Sequence, residues 1–181
     1  MRHAKIKSDG TFRVADRPAS VKPTTYRVVM PGTKKRSTGY SAEMRVAVYR
    51  WHYLSDLDRV DSSGSIEAGD AVSINGTVYK KSLNAWAGWQ DAWVEYNLSR
   101  KCSTLKGTMG LSDESATGAL GEIEILGDGN SIFDRTFPLG ESETRSLTVS
   151  NVLRLRIEFT PLSDDDDADG AVGKPQVLCR F

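Results

Sequence analysis

The strictest pattern in the chain lies at Val152–Phe159, Val-Leu-Arg-Leu-Arg-Ile-Glu-Phe. Leu153, Leu155, Ile157 and Phe159 fall on one side and Arg154, Arg156 and Glu158 on the other. A period of two over this length predicts a strand with one buried and one solvated face. The same alternation recurs at Asp91–Leu98, where Ala92, Val94, Tyr96 and Leu98 share a face, and at Gly121–Leu126, where Ile123 and Ile125 oppose Glu122 and Glu124. Glu43–Tyr53, Ser103–Leu111, Ser131–Phe137, Arg145–Val149 and a final run near Gln176–Arg180 complete the predicted set. Val72–Ile74 and Thr77–Tyr79 flank Asn75-Gly76, the turn pair most strongly associated with a type I′ hairpin. Gly127-Asp128-Gly129-Asn130 marks a second reversal. Residues 59–69 are polar and rich in Ser and Gly, and read as a loop. No long amphipathic helix and no repeat of 20–50 residues is visible. Short strands punctuated by turns predict an all-β fold, an antiparallel jelly-roll β-sandwich over residues 43–181.

Residues 1–42 lack this periodicity. They carry Asp9-Gly10, Pro18, Pro23 and Pro31-Gly32, and read as an extended arm. Charge sharpens the division, because the formal net charge of zero hides two opposed halves. Residues 1–50 hold twelve Lys/Arg against three Asp/Glu, and residues 51–181 hold twelve against twenty-one. The arm is therefore basic, with its densest cluster at Lys34-Lys35-Arg36, and it predicts docking to an acidic partner: another particle subunit, a second copy of this chain, or nucleic acid. Specific nucleic-acid recognition is not expected, since no recognition motif accompanies the charge. No apolar run is long enough to span a membrane as a helix, so no membrane insertion is expected. The first ten residues are basic with no apolar segment behind them, so no secretory signal is expected and the product is read as made in the cytosol. On that ground Cys102 and Cys179 are expected as reduced, buried thiols.

The order of several short motifs adds a family resemblance. Tyr-Leu-Ser-Asp-Leu (53–57), Ser-Ile-Asn-Gly-Thr-Val-Tyr-Lys-Lys-Ser-Leu (73–83), Val-Glu-Tyr-Asn-Leu (94–98), Leu-Lys-Gly-Thr-Met-Gly-Leu-Ser-Asp-Glu (105–114) and Gly-Glu-Ile-Glu-Ile-Leu-Gly-Asp-Gly (121–129) follow one another. The series resembles the NPCBM family of carbohydrate-binding modules over about residues 50–181. The resemblance implies a galactose-binding-domain-like jelly roll. The chain departs from that family at Ser82-Leu83-Asn84-Ala85-Trp86, where a Gly-Thr-His-Ala-type turn is usual. It departs again at Asp167–Pro175, where the family commonly carries His and Trp among acids.

Candidate chemistry is sparse. Trp86, Trp89 and Trp93 cluster near the expected rim of the sandwich, where an aromatic face can stack on pyranose C–H groups while Asn84, Gln90 and Asp91 take hydroxyls. The competing assignment puts these tryptophans in the core or in a subunit contact. Asp165, Asp167 and Asp169 are candidate ligands for calcium, a hard cation that takes six to eight oxygens; the resemblance also implies a structural calcium, and a solvated acidic loop is the alternative. No other cofactor is expected. With only His3 and His52, and no Gly-x-Ser-x-Gly, His-Glu-x-x-His or Cys-x-x-Cys, no enzyme is expected. The first functional expectation is a non-catalytic structural or adhesive component of a multi-subunit particle, most concretely a phage virion protein (a head decoration or minor tail protein). Its location would then be the virion. The second is a freestanding module that binds cell-surface glycans.

Overall fold

The computed structural model describes residues 3–18, 22–86, 91–162 and 167–180. Two units separate at Val48/Tyr49. In the first, β1 (Thr24–Tyr26) pairs antiparallel with β4 (Met44–Val46), and β2 (Val29–Met30) pairs with β3 (Gly39–Tyr40). Lys34, Lys35 and Arg36 lie in the exposed turn between β2 and β3. That turn is closed by Thr33 and Arg36, whose N–H groups each donate to the other's carbonyl, at 2.8 and 3.2 Å. The alternation over Glu43–Tyr53 is divided between the units: β4 belongs to the first, and β5 (Arg50–Tyr53) opens the second.

The second unit continues with a single 3-10 turn (Leu54–Asp56), β6 (Arg59–Ser63), β7 (Ser65–Ala68), β8 (Val72–Ile74), β9 (Thr77–Tyr79), β10 (Leu83–Trp86) and β11 (Ala92–Asn97). Then come β12 (Cys102–Leu111), β13 (Leu120–Gly127), β14 (Asn130–Pro138), β15 (Ser142–Thr148), β16 (Arg154–Pro161) and β17 (Gly170–Cys179). One sheet runs β15-β12-β17-β10-β7, with β5 beside the far half of β17, and the other runs β14-β13-β16-β11-β6. Every pairing is antiparallel. Two such sheets closed over one apolar layer make the jelly-roll sandwich that the alternating runs predicted.

The central predicted strand is central in space. β16 lies between β13 and β11 and sends Leu155, Ile157 and Phe159 into the core at no more than 1% exposure. Val94, Tyr96, Ile123 and Ile125 join them from the same sheet; Leu83, Ala85, Leu105, Met109, Val172 and Val177 meet them from the other. The strand starts at Arg154 rather than Val152 because Asp128 intervenes. Its carboxylate accepts the N–H groups of Leu153 (3.0 Å) and Arg154 (2.8 Å), and those bonds hold the Asp128 carboxyl below its ordinary range. Asp128 (φ 51°) and Gly129 (φ 80°) form the predicted reversal between β13 and β14, with both residues in the left-handed region.

Two expectations fail here for physical reasons. Residues 59–69 hold strands β6 and β7 rather than a loop. β6 is an edge strand exposed along its whole length, so its composition carries no apolar alternation to betray it. Gly64 lies between the two, and the chain passes there from one sheet to the other. Its φ of +73° suits glycine, and a Cβ would come within 3.0 Å of the Ala92 Cα. The cysteines are the second correction: Cys102 and Cys179 form a disulfide. They are direct partners across β12 and β17, an adjacency fixed by register that sequence spacing does not reveal.

Candidate functional site

The outer face of the β10 sheet carries the site, and three features of sequence build it. Leu83 and Ala85 point into the core, so Asn84 and Trp86, one residue out of phase, point away from it. Across the ladder, Asn84 pairs with Glu67 of β7 on one side and Ala171 of β17 on the other. Onto this face folds the β8–β9 hairpin, turned by Asn75 (φ 48°) and Gly76 (φ 74°) as the Asn-Gly pair predicted. Val72, Ile74 and Tyr79 form a small second core with Ala171. The hairpin can settle this low because the sheet is bare beneath it. A Cβ at Gly173 would strike the Tyr79 ring at 2.6 Å, and one at Gly110 would meet the Ile74 side chain at 2.7 Å.

Asp113 pins the hairpin from the side. Its Oδ2 accepts from the Ser73 hydroxyl (2.5 Å) and the Gly76 N–H (2.9 Å), and these bonds, Ser73 first, hold its carboxyl below the ordinary range. A carboxyl with a depressed native pKa adds stability that is complete above its unfolded value and is lost as the pH falls through the native one. Asp113→Asn should therefore be less stable than the parent at neutral pH, with the gap closing below about pH 3. Thermal unfolding across that range checks this, and a pH-independent gap contradicts it.

Between hairpin and sheet edge lies a cleft of about 140 Å³. Asn84 and Trp86 of β10 line it together with Glu67, Asp70, Ser73, Ser112 and Glu114. Trp86 is 41% exposed, leaving ring surface available for contact. Asn84 is 9% exposed, and its buried Oδ1 has no hydrogen-bond partner. A buried acceptor without a partner costs on the order of 1–3 kcal/mol, so Oδ1 is a place where a bound group would be stabilised.

Of the residues expected to act together, the structure joins Asn84 and Trp86. Asp91 and Trp93 do not line the cleft. Trp93 stands on the outer face of the opposite sheet, opposite Glu158 and Ser63, and the Arg156 guanidinium lies 3.9 Å from its ring centroid. One face of that ring is thus already occupied by a cation. Trp89 and Gln90 lie outside the described residues, as does Asp165. Asp167 and Asp169 are tied down through their backbone, their carbonyls accepting from Ala116 (2.9 Å) and Ser112 (2.8 Å). No cluster of three or more His, Cys, Asp or Glu side chains suited to a metal ion occurs among the described residues. Among these residues no helix is long and apolar enough to cross a membrane. Glu67, Asp70, Ser73, Ser112 and Glu114 were not anticipated. Their only sequence signal was adjacency to the Asn-Gly hairpin and to the Ser-Asp-Glu motif that ends the 105–114 run.

The fold recurs in known structures. The CBM51 of GH95 from Clostridium perfringens, solved in complex with methyl-galactose, superposes with a TM-score of 0.59 at 18% identity, over 71% of this chain and 99% of that one. The tandem CBM51 modules of the family 98 glycoside hydrolase from Streptococcus pneumoniae SP3-BS71 give 0.61 at 12% identity, over 71% of this chain and 47% of that one. CBM51-2 of Clostridium perfringens ZmpB, solved with its INT domain and GlcNAc, gives 0.60 at 12% identity, over 88% of this chain and 38% of that one. In sequence, a Renibacterium salmoninarum protein named "Putative endo-alpha-N-acetylgalactosaminidase" is 22% identical over 138 residues, which are 75% of this chain and 9% of that protein. This chain therefore spans a small part of that relative. The family model of the NPCBM/NEW2 domain matches residues 37–172, well over half of the sequence, and the chain belongs to the NPCBM/NEW2 domain family.

Proposed function

We propose that the chain is a non-catalytic carbohydrate-binding module that holds one sugar residue of a cell-surface glycan in the Asn84–Trp86 cleft. The observation that carries this is the Asn84 amide, nine-tenths buried and with Oδ1 unpartnered, beside an exposed indole. That is the pairing sugar recognition uses: a flat apolar face for the ring's C–H groups and a directional polar group for a substituent. The cleft volume is well below the ~300–1,000 Å³ of drug-sized pockets, which favours a single ring over a chain of them. Relatives of the same fold were solved with methyl-galactose and with GlcNAc, which supports sugars as the ligand class. The particle role draws no comparable support: one of these relatives is a pair of modules of a glycoside hydrolase and another was solved with methyl-galactose.

Calorimetric titration with simple methyl glycosides tests the reading. Trp86→Ala should weaken binding at least about tenfold, the loss of roughly 1.4 kcal/mol of aromatic contact. Trp93→Ala should leave it unchanged. Equal losses from both, or no binding to any glycan, would contradict the assignment.

A further inference from the structure

The groups that line the cleft differ in what they still have to offer a ligand. The Ser73 hydroxyl already donates to Asp113, and the Ser82 hydroxyl donates to the Tyr79 carbonyl while accepting from the Lys174 N–H. Ser112 Oγ accepts from the Glu114 N–H. By contrast, the carboxylates of Glu67, Asp70 and Glu114 have no ion-pair or hydrogen-bond partner among the described residues, and no Lys or Arg lines the cleft. An ionised carboxylate only accepts. Asn84 Oδ1 is buried without a partner, and rotation about the broad, two-fold χ2 can turn either the acceptor or the donor end of the amide to the cleft. What remains uncommitted is therefore three carboxylates with no cation among the lining residues, beside the neutral donors of the Ser112 hydroxyl, the Trp86 indole and the Asn84 amide.

A neutral sugar can accept from those donors and donate to the carboxylates, but it leaves the charge of this inventory uncompensated. A uronic or sialic acid fits it worse, since its carboxylate would face three others. An ammonium group fits it well: it carries three donors, no acceptor and a compensating charge, and its bonds to carboxylates are of the charge-assisted kind. Glu67 stands directly opposite Asn84 in the ladder, so a ring stacked on Trp86, two residues along the same face, lies within reach of both.

We infer that the cleft selects an amino sugar with a free, protonated amine, such as a glucosamine residue, over its N-acetylated, neutral and acidic counterparts. This rests on the cleft being the glycan site. Cleft charge and cleft identity are separable in one experiment: titration of methyl glucosaminide, methyl N-acetylglucosaminide, methyl galactoside and methyl glucuronide at about pH 6, where an amine of this kind is protonated. The glucosaminide should bind at least about tenfold more tightly than the others. In Glu67→Gln and Glu114→Gln, which keep size and shape, that preference should shrink toward unity. It should also weaken steeply as added salt screens the exposed charges. Neutral sugars binding as tightly as the glucosaminide, or a preference indifferent to both substitutions, would overturn the charge inference and leave the glycan site standing. Failure of all four sugars, with the fold intact by NMR, would overturn both.

Discussion

Phe159→Ala is expected to destabilise the sandwich by about 3–5 kcal/mol, the range for emptying a ring-sized volume from a packed core. Phe159 is 1% exposed in the middle strand of its sheet, between Ala92 of β11 and Ile123 of β13. It also reaches across to the other layer. A Cβ on Gly170, the first residue of β17, would run into its ring, so the glycine and the phenylalanine fit each other. Gly170→Ala should thus be clearly destabilising in the parent and markedly less so in the Phe159→Ala background, where the ring is gone. Chemical denaturation of the four proteins gives the coupling directly. Additive effects would mean that the two layers do not meet as described.

Removing the disulfide should cost a comparable amount. Cys102 and Cys179 are 77 residues apart, and the bridge ties the start of β12 to the end of β17, the two strands at the heart of their sheet. Opening a loop of this size releases denatured-chain entropy worth about 4.5 kcal/mol in the chain-entropy account, within the roughly 2–5 kcal/mol typical of native bridges in small domains. Both sulfur atoms belong to the buried core, so Cys102→Ala/Cys179→Ala is the better variant, because serine would add buried hydroxyls. The denaturation midpoint should fall in that variant and in the reduced parent alike. A midpoint unmoved by reductant would show that the strands hold their register without the bridge.

The sandwich was legible wherever a strand had one wet and one dry face. Leu155, Ile157 and Phe159, and equally Val94 and Tyr96, declare the core because burial on one side only leaves a period of two in the sequence. The Asn75-Gly76 and Asp128-Gly129 turns were legible for a different reason, since few residue pairs tolerate two successive positive φ angles. The signal failed where a strand had two similar faces. β6 is wet on both, and β17 is buried along nearly all its length, with Gly170, Gly173 and Pro175 in the half that reads as loop. Those glycines are there because Phe159 and Tyr79 press on the backbone, a tertiary cause invisible in a linear reading. At Lys174 (φ 51°) the strand bulges against Gly107, which shifts the alternation and hides the continuity with Gln176.

The site divides along the same line. Trp86 and Asn84, expected together at the rim, do line one cleft, because alternation along β10 turns both to the same face. Glu67 and Asp70 of the cleft lining sit on and just after a strand whose sequence reads as loop, and Glu114 joins the lining only once the hairpin folds over the sheet. Trp93 entered the same cluster on sequence proximity alone. Seven residues beyond Trp86 it already belongs to the other layer, with a guanidinium over its ring.

Backbone amide shifts followed during titration with a methyl glycoside test the central claim most directly. The account predicts changes concentrated at Ser65–Glu67, Asn84–Trp86 and Ser112–Glu114, abolished by Trp86→Ala. Changes centred instead on Trp93 and Arg156, or spread without a focus over both sheets, would contradict it.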